Sequence, residues 1–186
     1  KGKKPVIFLC RERMCTFMSN PIRLAGVIRE SIVDGPGIRF VVFVQGCPHH
    51  CEGCHNPETH DFSAGKLTTT DALYEMCMEN PLCSGVTFSG GEPFCQPEAL
   101  YELGSRFKAA GKHLMCYSGW TFEELLKKSV REEYVGKLLS ILDVLVDGRF
   151  DISKRSLSLL FRGSSNQRLI DVPASLTNGE AVELPE

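Results

Sequence analysis

The run RFVVFVQG, Arg39 to Gly46, limits the architecture more than any other stretch of this chain. It is apolar without alternation and ends on glycine. Such a strand fits where it is buried, inside a sheet with cover. The segment GCPHHCEGCHNP, residues 46 to 57, follows at once. It is therefore read as a loop at the C-terminal end of that strand.

Strands and helices then alternate. Ile22 to Arg29 reads as a first strand, and DGPG (Asp34 to Gly37) as a turn, because Pro fixes one φ and Gly admits a positive one. Residues 69 to 79 read as a helix with Leu73, Met76 and Cys77 on one face. Gly85 to Ser89 is a short strand. Pro97 to Ala110 is helical, with Leu100, Leu103 and Phe107 at i, i+3, i+7, Pro near the start and Gly111 past the end. Residues 113 to 118 form a strand. Thr121 and Glu124 make a capping box for helix that continues, with a break near Ser129, to about Leu142. Residues 143 to 147 and 167 to 172 are the last strands, and the tail after Pro173 reads as loop. Alternation of this kind predicts α/β architecture: an open partial (βα) barrel with a mainly parallel, curved sheet and right-handed crossovers. Ligands of such folds sit beyond the C-terminal strand ends. The cysteine loop, Ser89-Gly90-Gly91, Tyr117-Ser118-Gly119 and Asp147-Gly148 all fall there, which points to one shared site.

Charge and composition exclude several functions. The 21 Lys and Arg nearly balance the 23 Asp and Glu, without the basic face that a nucleic-acid footprint needs. No run approaches the roughly 18 apolar residues of a membrane span. The first residues contain a five-residue apolar run, too short for a signal peptide. Nine cysteines without such a signal read as free or metal-bound thiols in a reducing cytoplasm. Residues 1–19 are expected to be a disordered or non-native N-terminal extension, residues 20–175 one domain, and 176–186 a C-terminal tail. Cys10 and Cys15, in the extension, read as spare thiols rather than a second metal site.

Cys47, Cys51 and Cys54 carry the chemistry. Structural zinc takes four ligands, usually as two spaced pairs, and His49, His50 or His55 would complete a Cys3His set. A ferredoxin supplies a fourth Cys soon after the third, whereas the next here is Cys77, in an expected helix. Three thiolates can also hold three irons of a [4Fe-4S] cluster and leave the fourth iron open. Spacing alone leaves iron-sulfur, zinc and unligated thiols as alternatives.

Other residues bear on the choice. C-x3-C-x2-C, followed one strand later by Ser89-Gly90-Gly91-Glu92-Pro93, resembles the radical S-adenosylmethionine (SAM) superfamily. The resemblance implies that Cys47, Cys51 and Cys54 are metal ligands and that the backbone near Gly90, Gly91, Glu92 and Pro93 seats the methionine end of SAM. It implies a [4Fe-4S] cluster and SAM as cofactors, and no acid–base triad. Ser31 to Phe40 before the cluster loop and Cys54-His55-Asn56-Pro57 after it resemble glycyl-radical-enzyme activases. The chain's length, Arg162 to Arg168 and Val146 to Phe150 resemble the activating proteins of anaerobic (class III) ribonucleotide reductases, over roughly residues 20 to 172. That resemblance implies anaerobic ribonucleoside-triphosphate reductase as protein partner and a flavodoxin-like electron donor. The alternatives are a pyruvate formate-lyase-type activase and a non-catalytic metal-bearing interaction module.

Many superfamily members carry an aromatic residue just before the third cysteine. Here that residue is Gly53, and His55 is the candidate flat surface for adenine. His55, Asn56, Tyr117, Ser118 and Asp147 complete the expected cofactor contacts. Asp34 either caps its turn or shapes the site. Asn166 belongs to a strand-entry turn or to a polar loop that reaches the site. Cys77 and Cys116 read as small core residues. Cys95 is the one further thiol expected near the cluster loop, and Trp120 reads as packing or interface.

Overall fold

The computed structural model describes residues 19–185. The expectations for residues 1–18, with Cys10 and Cys15, lie outside the described residues. Strand β1 (Pro21–Ser31) and β2 (Arg39–Val44) form an antiparallel pair, and β3 (Lys66–Thr69) is added antiparallel to β1. Helix α1 (Thr70–Met78) leads to β4 (Gly85–Gly90), α2 (Pro97–Ala109) to β5 (His113–Tyr117), and α3 (Phe122–Ser129) with α4 (Glu133–Ile141) to β6 (Val144–Asp147). β7 (Arg168–Asp171) and α5 (Val172–Asn178) follow. Among the described residues these strands make one sheet in the order β3-β1-β2-β4-β5-β6-β7.

The centre, β2-β4-β5-β6, is parallel, and antiparallel strands flank it on both sides. The expected α/β architecture is thus present, with a parallel middle that supplies the strand ends of the site. Period-two alternation sorts the two faces. Phe40, Val42 and Val44 of β2, Val86 and Phe88 of β4, and Leu114 and Cys116 of β5 join the helices in one core with Leu100, Leu103, Phe107 and Leu138. The opposite face carries the smaller cluster of Met115, Val146 and Leu169. Ile28 of β1 and Gly148 after β6 line one cavity, although four strand spacings separate their strands. A flat sheet would hold them roughly 19 Å apart, so the sheet curves around the cavity.

Arg39 plugs the far end of the cavity-side face. It is fully buried and bonds Thr87 Oγ1 at 3.0 Å, His113 Nδ1 at 3.0 Å and the Val86 carbonyl. Burial pushes its pKa down to about 10. The Thr87 hydroxyl in turn donates a hydrogen bond to the Asp34 carbonyl at 2.7 Å, and Ser31 donates to the Asp34 carboxylate. A polar chain therefore runs from the middle of the sheet to the DGPG turn.

Three expectations change. Residues 66 to 69 form β3, an edge strand too short for its pattern to show in the sequence, so the expected helix over 69–79 starts one residue later. β1 extends beyond 22–29 to Pro21–Ser31 through irregular register. The tail after Pro173 is not all loop: Asp171 caps α5 by accepting from Ala174 N, with Pro173 in the first turn. Proline marks a helix start there, where its missing N–H costs nothing. Residues 182 to 184 then return along β7, with Leu184 N on the Leu169 carbonyl at 2.7 Å. The break near Ser129 is present as the junction between α3 and α4, and the Thr121–Glu124 capping box has both bonds.

Two glycines give a paired test. A Cβ at Gly85 would stand 2.2 Å from Arg39 Nη1 and 2.6 Å from the His113 carbonyl oxygen, whereas one at Gly26 meets nothing within 4 Å. Gly85→Ala should cost about 1–3 kcal/mol through overpacking. Gly26→Ala should be neutral or stabilise by up to about 1 kcal/mol by narrowing the unfolded ensemble. Urea midpoints of the two variants check this.

Candidate functional site

One cavity of about 510 Å³ lies at the C-terminal strand ends. Cys47, Cys51 and Cys54 all line it, as do His55 and Asn56 from the same loop, Gly90 and Gly91 from the end of β4, and Tyr117 and Ser118 from the end of β5. Glu92, Pro93 and Asp147, expected at the same place, do not line it. They lie behind it, and the structure gives two of them other work.

The cysteine loop is closed at its base. Gly46 N donates to the Thr59 carbonyl at 2.8 Å and Cys47 N to the His60 carbonyl at 3.2 Å. The Gln45 amide reaches the Glu58 and Asp61 carbonyls at 3.0 and 2.8 Å. Glycine at 53 has a reason: its φ is +70°, and a Cβ there would stand 2.6 Å from Ile152 Cδ1. His55 and Phe150 place two rings nearby, their centroids 4.9 Å apart and their planes tilted by 48°. Both rings line the cavity.

The sulfurs suit a cluster. Burial raises the pKa of Cys47, while the backbone N–H groups of His49 and His50 lower it. Burial likewise raises Cys51, against a hydrogen bond from the Phe150 N–H. Asn56 N lies 3.4 Å from Cys54 Sγ. Backbone donors on soft sulfur are what a thiolate-held iron-sulfur cluster requires. Among the described residues, no three His, Cys, Asp or Glu converge on one point as a single metal ion needs.

The Gly90-Gly91-Glu92 stretch explains itself by what it approaches. Gly90 has φ +96°, and a Cβ there would stand 2.6 Å from Val44 N. At Gly91 it would stand 2.3 Å from the Gly46 carbonyl oxygen. Gly91 N donates to the Val44 carbonyl and Glu92 N to that of Gly46, both at 2.8 Å. The glycines bring the end of β4 against the start of the cysteine loop and leave backbone facing the cavity.

Glu92 is fully buried. Its carboxylate accepts from His49 Nε2 at 2.9 Å, Gly119 N at 2.8 Å, Phe94 N at 3.0 Å and Ser118 Oγ at 3.1 and 3.2 Å. Both oxygens are spent on protein donors, so Glu92 positions the site from outside the cavity. Asp147, 1% exposed, accepts from Phe122 N at 2.7 Å and from Arg168 Nε at 3.0 Å. It anchors the start of α3 and does not line the cavity.

Asp34 lines the cavity besides ordering its turn. Asn166 is a turn residue that donates to the Arg149 carbonyl at 2.8 Å, while its neighbour Gln167 reaches the cavity. Burial raises the Tyr117 pKa strongly, which keeps the phenol protonated. Cys77, Cys83 and Cys116 are buried core thiols. Cys95 lines a separate groove with Gln96 and Pro97. Trp120 packs its ring on His49 at 4.6 Å, which supports the loop from behind.

Sequence reasoning missed the strap from Gly148 to Gln167. Phe150, Leu159, Phe161 and Arg162 all line the cavity from it. Gln167 Oε1 receives Gly163 N at 2.9 Å and Ser164 N at 3.2 Å, and its amide donates to the Gly148 carbonyl at 3.1 Å. Phe161 sits at φ +57°, a conformation that costs about 1–3 kcal/mol away from glycine. The polar motif Arg162 to Arg168 was the available signal, but nothing in it says that apolar residues upstream turn inward.

Comparison with known proteins adds the following. The family model described as a 4Fe-4S single cluster domain matches residues 33–170. The chain is 34% identical over 143 residues to the anaerobic ribonucleoside-triphosphate reductase-activating protein of Enterobacteria phage T4, covering 74% of this chain and 86% of that one. It is 31% identical to the protein of the same description from Escherichia coli (strain K12), covering 73% and 90%. It is 40% identical over 114 residues to the pyruvate formate-lyase-activating enzyme of Clostridium pasteurianum, but covers 56% of this chain and only 48% of that relative.

Two predictions follow from the carboxylates. Glu92→Ala strands two backbone N–H groups, a hydroxyl and a ring N–H, and should cost about 3–5 kcal/mol. Glu92→Gln should fall between it and the parent, because its amide NH2 meets donors. Chemical denaturation of all three ranks them. Glu123 is held at about 2 by hydrogen bonds from Arg168. A carboxylate held below its ordinary value of 4.5 stabilises above that value and loses the effect as pH falls through the lower one. The pair is half exposed, 28% and 47%, so it is worth about 0.2–1 kcal/mol. Glu123→Gln should therefore lower the urea midpoint slightly at pH 7, and the gap should close between pH 5 and 2.

Proposed function

The chain belongs to the family of 4Fe-4S single cluster domains, among the anaerobic ribonucleoside-triphosphate reductase-activating proteins, and from that premise we infer that it is a radical SAM activase. Its cofactors are a [4Fe-4S] cluster and S-adenosylmethionine. When bound, they supply one electron and a carbon–sulfur cleavage that yields methionine and a 5′-deoxyadenosyl radical, which takes a hydrogen atom from a glycine Cα of the partner reductase. The observation that carries the reading is the cavity itself: three thiols from one loop on its wall, with glycine backbone and two strand ends opposite.

We assign roles to the chain's own groups on that basis. Cys47, Cys51 and Cys54 hold three irons, each sulfur supported by a backbone N–H. The Gly90-Gly91 edge offers close backbone approach to the amino-acid end of SAM, flanked by Tyr117 and Ser118. His55 and Phe150 give adenine an aromatic wall, next to Asn56. Glu92, next to Pro93, and Asp147 hold strand ends in place and touch no cofactor. The cavity falls within the 300–1,000 Å³ usual for small-ligand sites. No helix among the described residues is long and apolar enough to cross a membrane, and the balanced charge supports no nucleic-acid partner. A flavodoxin-like protein is the proposed electron donor, and a reducing cytoplasm the proposed location.

A formate-lyase-type activase is the second reading, favoured by the 40% identity to such an enzyme. The chain spans only about half of that relative, whereas it spans 86% of the phage reductase activator. Electron paramagnetic resonance separates them. Iron-reconstituted protein, SAM and dithionite should produce a glycyl doublet on a class III reductase and not on a formate-lyase, and Cys51→Ala should abolish it. A doublet on formate-lyase alone would overturn the partner, and zinc in place of iron with no deoxyadenosine formed would overturn the activity.

A further inference from the structure

Exposed apolar side chains are concentrated around the cavity mouth. Among the described residues, six of the twelve exposed large hydrophobics lie on two short segments: Ile28 late in β1 with Ile32 and Val33 in the β1–β2 turn, and Ile152, Leu157 and Leu160 in the strap. Ile32, Val33 and Leu157 are 76%, 72% and 90% exposed. Scattered single hydrophobics are ordinary on a surface, whereas a contiguous set marks an interface. These two segments also supply cavity wall, through Ile28, Val33, Leu159 and Phe161. In the strap, inward Leu159 and Phe161 interleave with outward Leu157 and Leu160.

The strap is built to present that tip. Its base is pinned by the Arg155–Ser164 bridge, by Ser165 N on the Lys154 carbonyl at 2.9 Å and by Ser156 N on that of Gly163 at 3.2 Å. Arg149, Lys154 and Arg155 are exposed along it with one acid, Asp151, which pairs with Lys154 at 3.4 Å, in a chain whose net charge is −2. The outer edge is therefore apolar with a basic border.

We propose that the β1–β2 turn and the strap tip, centred on Ile32, Val33, Leu157 and Leu160, form the docking surface for the reductase, gripping apolar and acidic surface on either side of its glycine-bearing segment. The proposal rests on the activase reading. The partner's glycine must enter this cavity, so whatever surrounds that glycine meets this rim first. Continuity between rim and cavity wall selects the reductase over a second copy of this chain, which has no reason to cover the mouth. The basic border steers an acidic partner and gives the contact a salt dependence.

The test measures affinity of the cluster-loaded protein for a class III reductase by calorimetry, beside radical yield and partner-free deoxyadenosine formation with dithionite. Leu157→Asp/Leu160→Asp and, separately, Ile32→Asp should each raise Kd at least tenfold. Val130→Asp, which changes an 84% exposed apolar residue elsewhere, should leave it within twofold. Deoxyadenosine formation should stay near the parent level in all three, since the substituted side chains point to solvent. Unchanged Kd in both rim variants would overturn the proposal, as would a parent protein that forms no complex with the reductase. Failure of the activase reading looks different: binding that responds to the rim substitutions, with no SAM cleavage by the parent.

Discussion

The structure turns on one buried carboxylate. Glu92 has no solvent contact and gathers donors from the cysteine loop, from its own turn and from the end of β5. An isolated carboxylate in that place would cost several kcal/mol. It is tolerated because every lone-pair direction meets a donor, and that requirement fixes where the donors stand. His49 lies within the same loop as the three thiols, so orienting His49 orients them. Ser118 and Gly119 belong to the opposite wall. The carboxylate thus sets the width of the cavity between cluster loop and β5 without entering it.

The same device recurs lower and further along the sheet. Asp147, also buried, ties the end of β6 to the start of α3 and to Arg168 on β7. Arg39 ties β2 to β4 and β5 at the closed end. Each buried charge joins segments that are far apart in sequence. Hydrophobic burial on the helix side fixes which residues of each strand face the core, since a one-residue slip would turn them outward. Directional bonds hold the parallel strand ends in register around one space.

Much of this could be read in the sequence, and what could not shares a cause. The cysteine loop was legible because its meaning lies in spacing along the chain. So were β2, α2 and the Thr121 cap, whose signals are local. Glu92 was expected at the cavity through its motif, as backbone near the methionine end of SAM, and Asp147 through its place at a strand end. Their true partners, His49, Gly119, Phe122 and Arg168, come from other strands and helices, which no local pattern reveals. α5 was missed for a smaller reason: Pro173 was taken as a stop, while Asp171 before it makes the pair a start. The strap was missed because its order comes from Gln167 reaching back to Gly148 and Gly163.

Moving the acids out of the cavity also bears on the chemistry. Hydrogen abstraction by a carbon radical needs no general base, and a free carboxylate near an open iron would compete for it as a ligand. With Glu92 and Asp147 spent on the scaffold, Asp34 is the one carboxylate among the described lining residues, beside Arg162 and backbone, hydroxyl, amide and aromatic groups around three sulfurs. Such a wall holds cofactors but offers little to tell one glycine-bearing peptide from another. Discrimination between partners must then sit where the chain has distinctive chemistry to offer. In this molecule that is the mouth, with its exposed apolar tip and basic border, rather than the reacting centre.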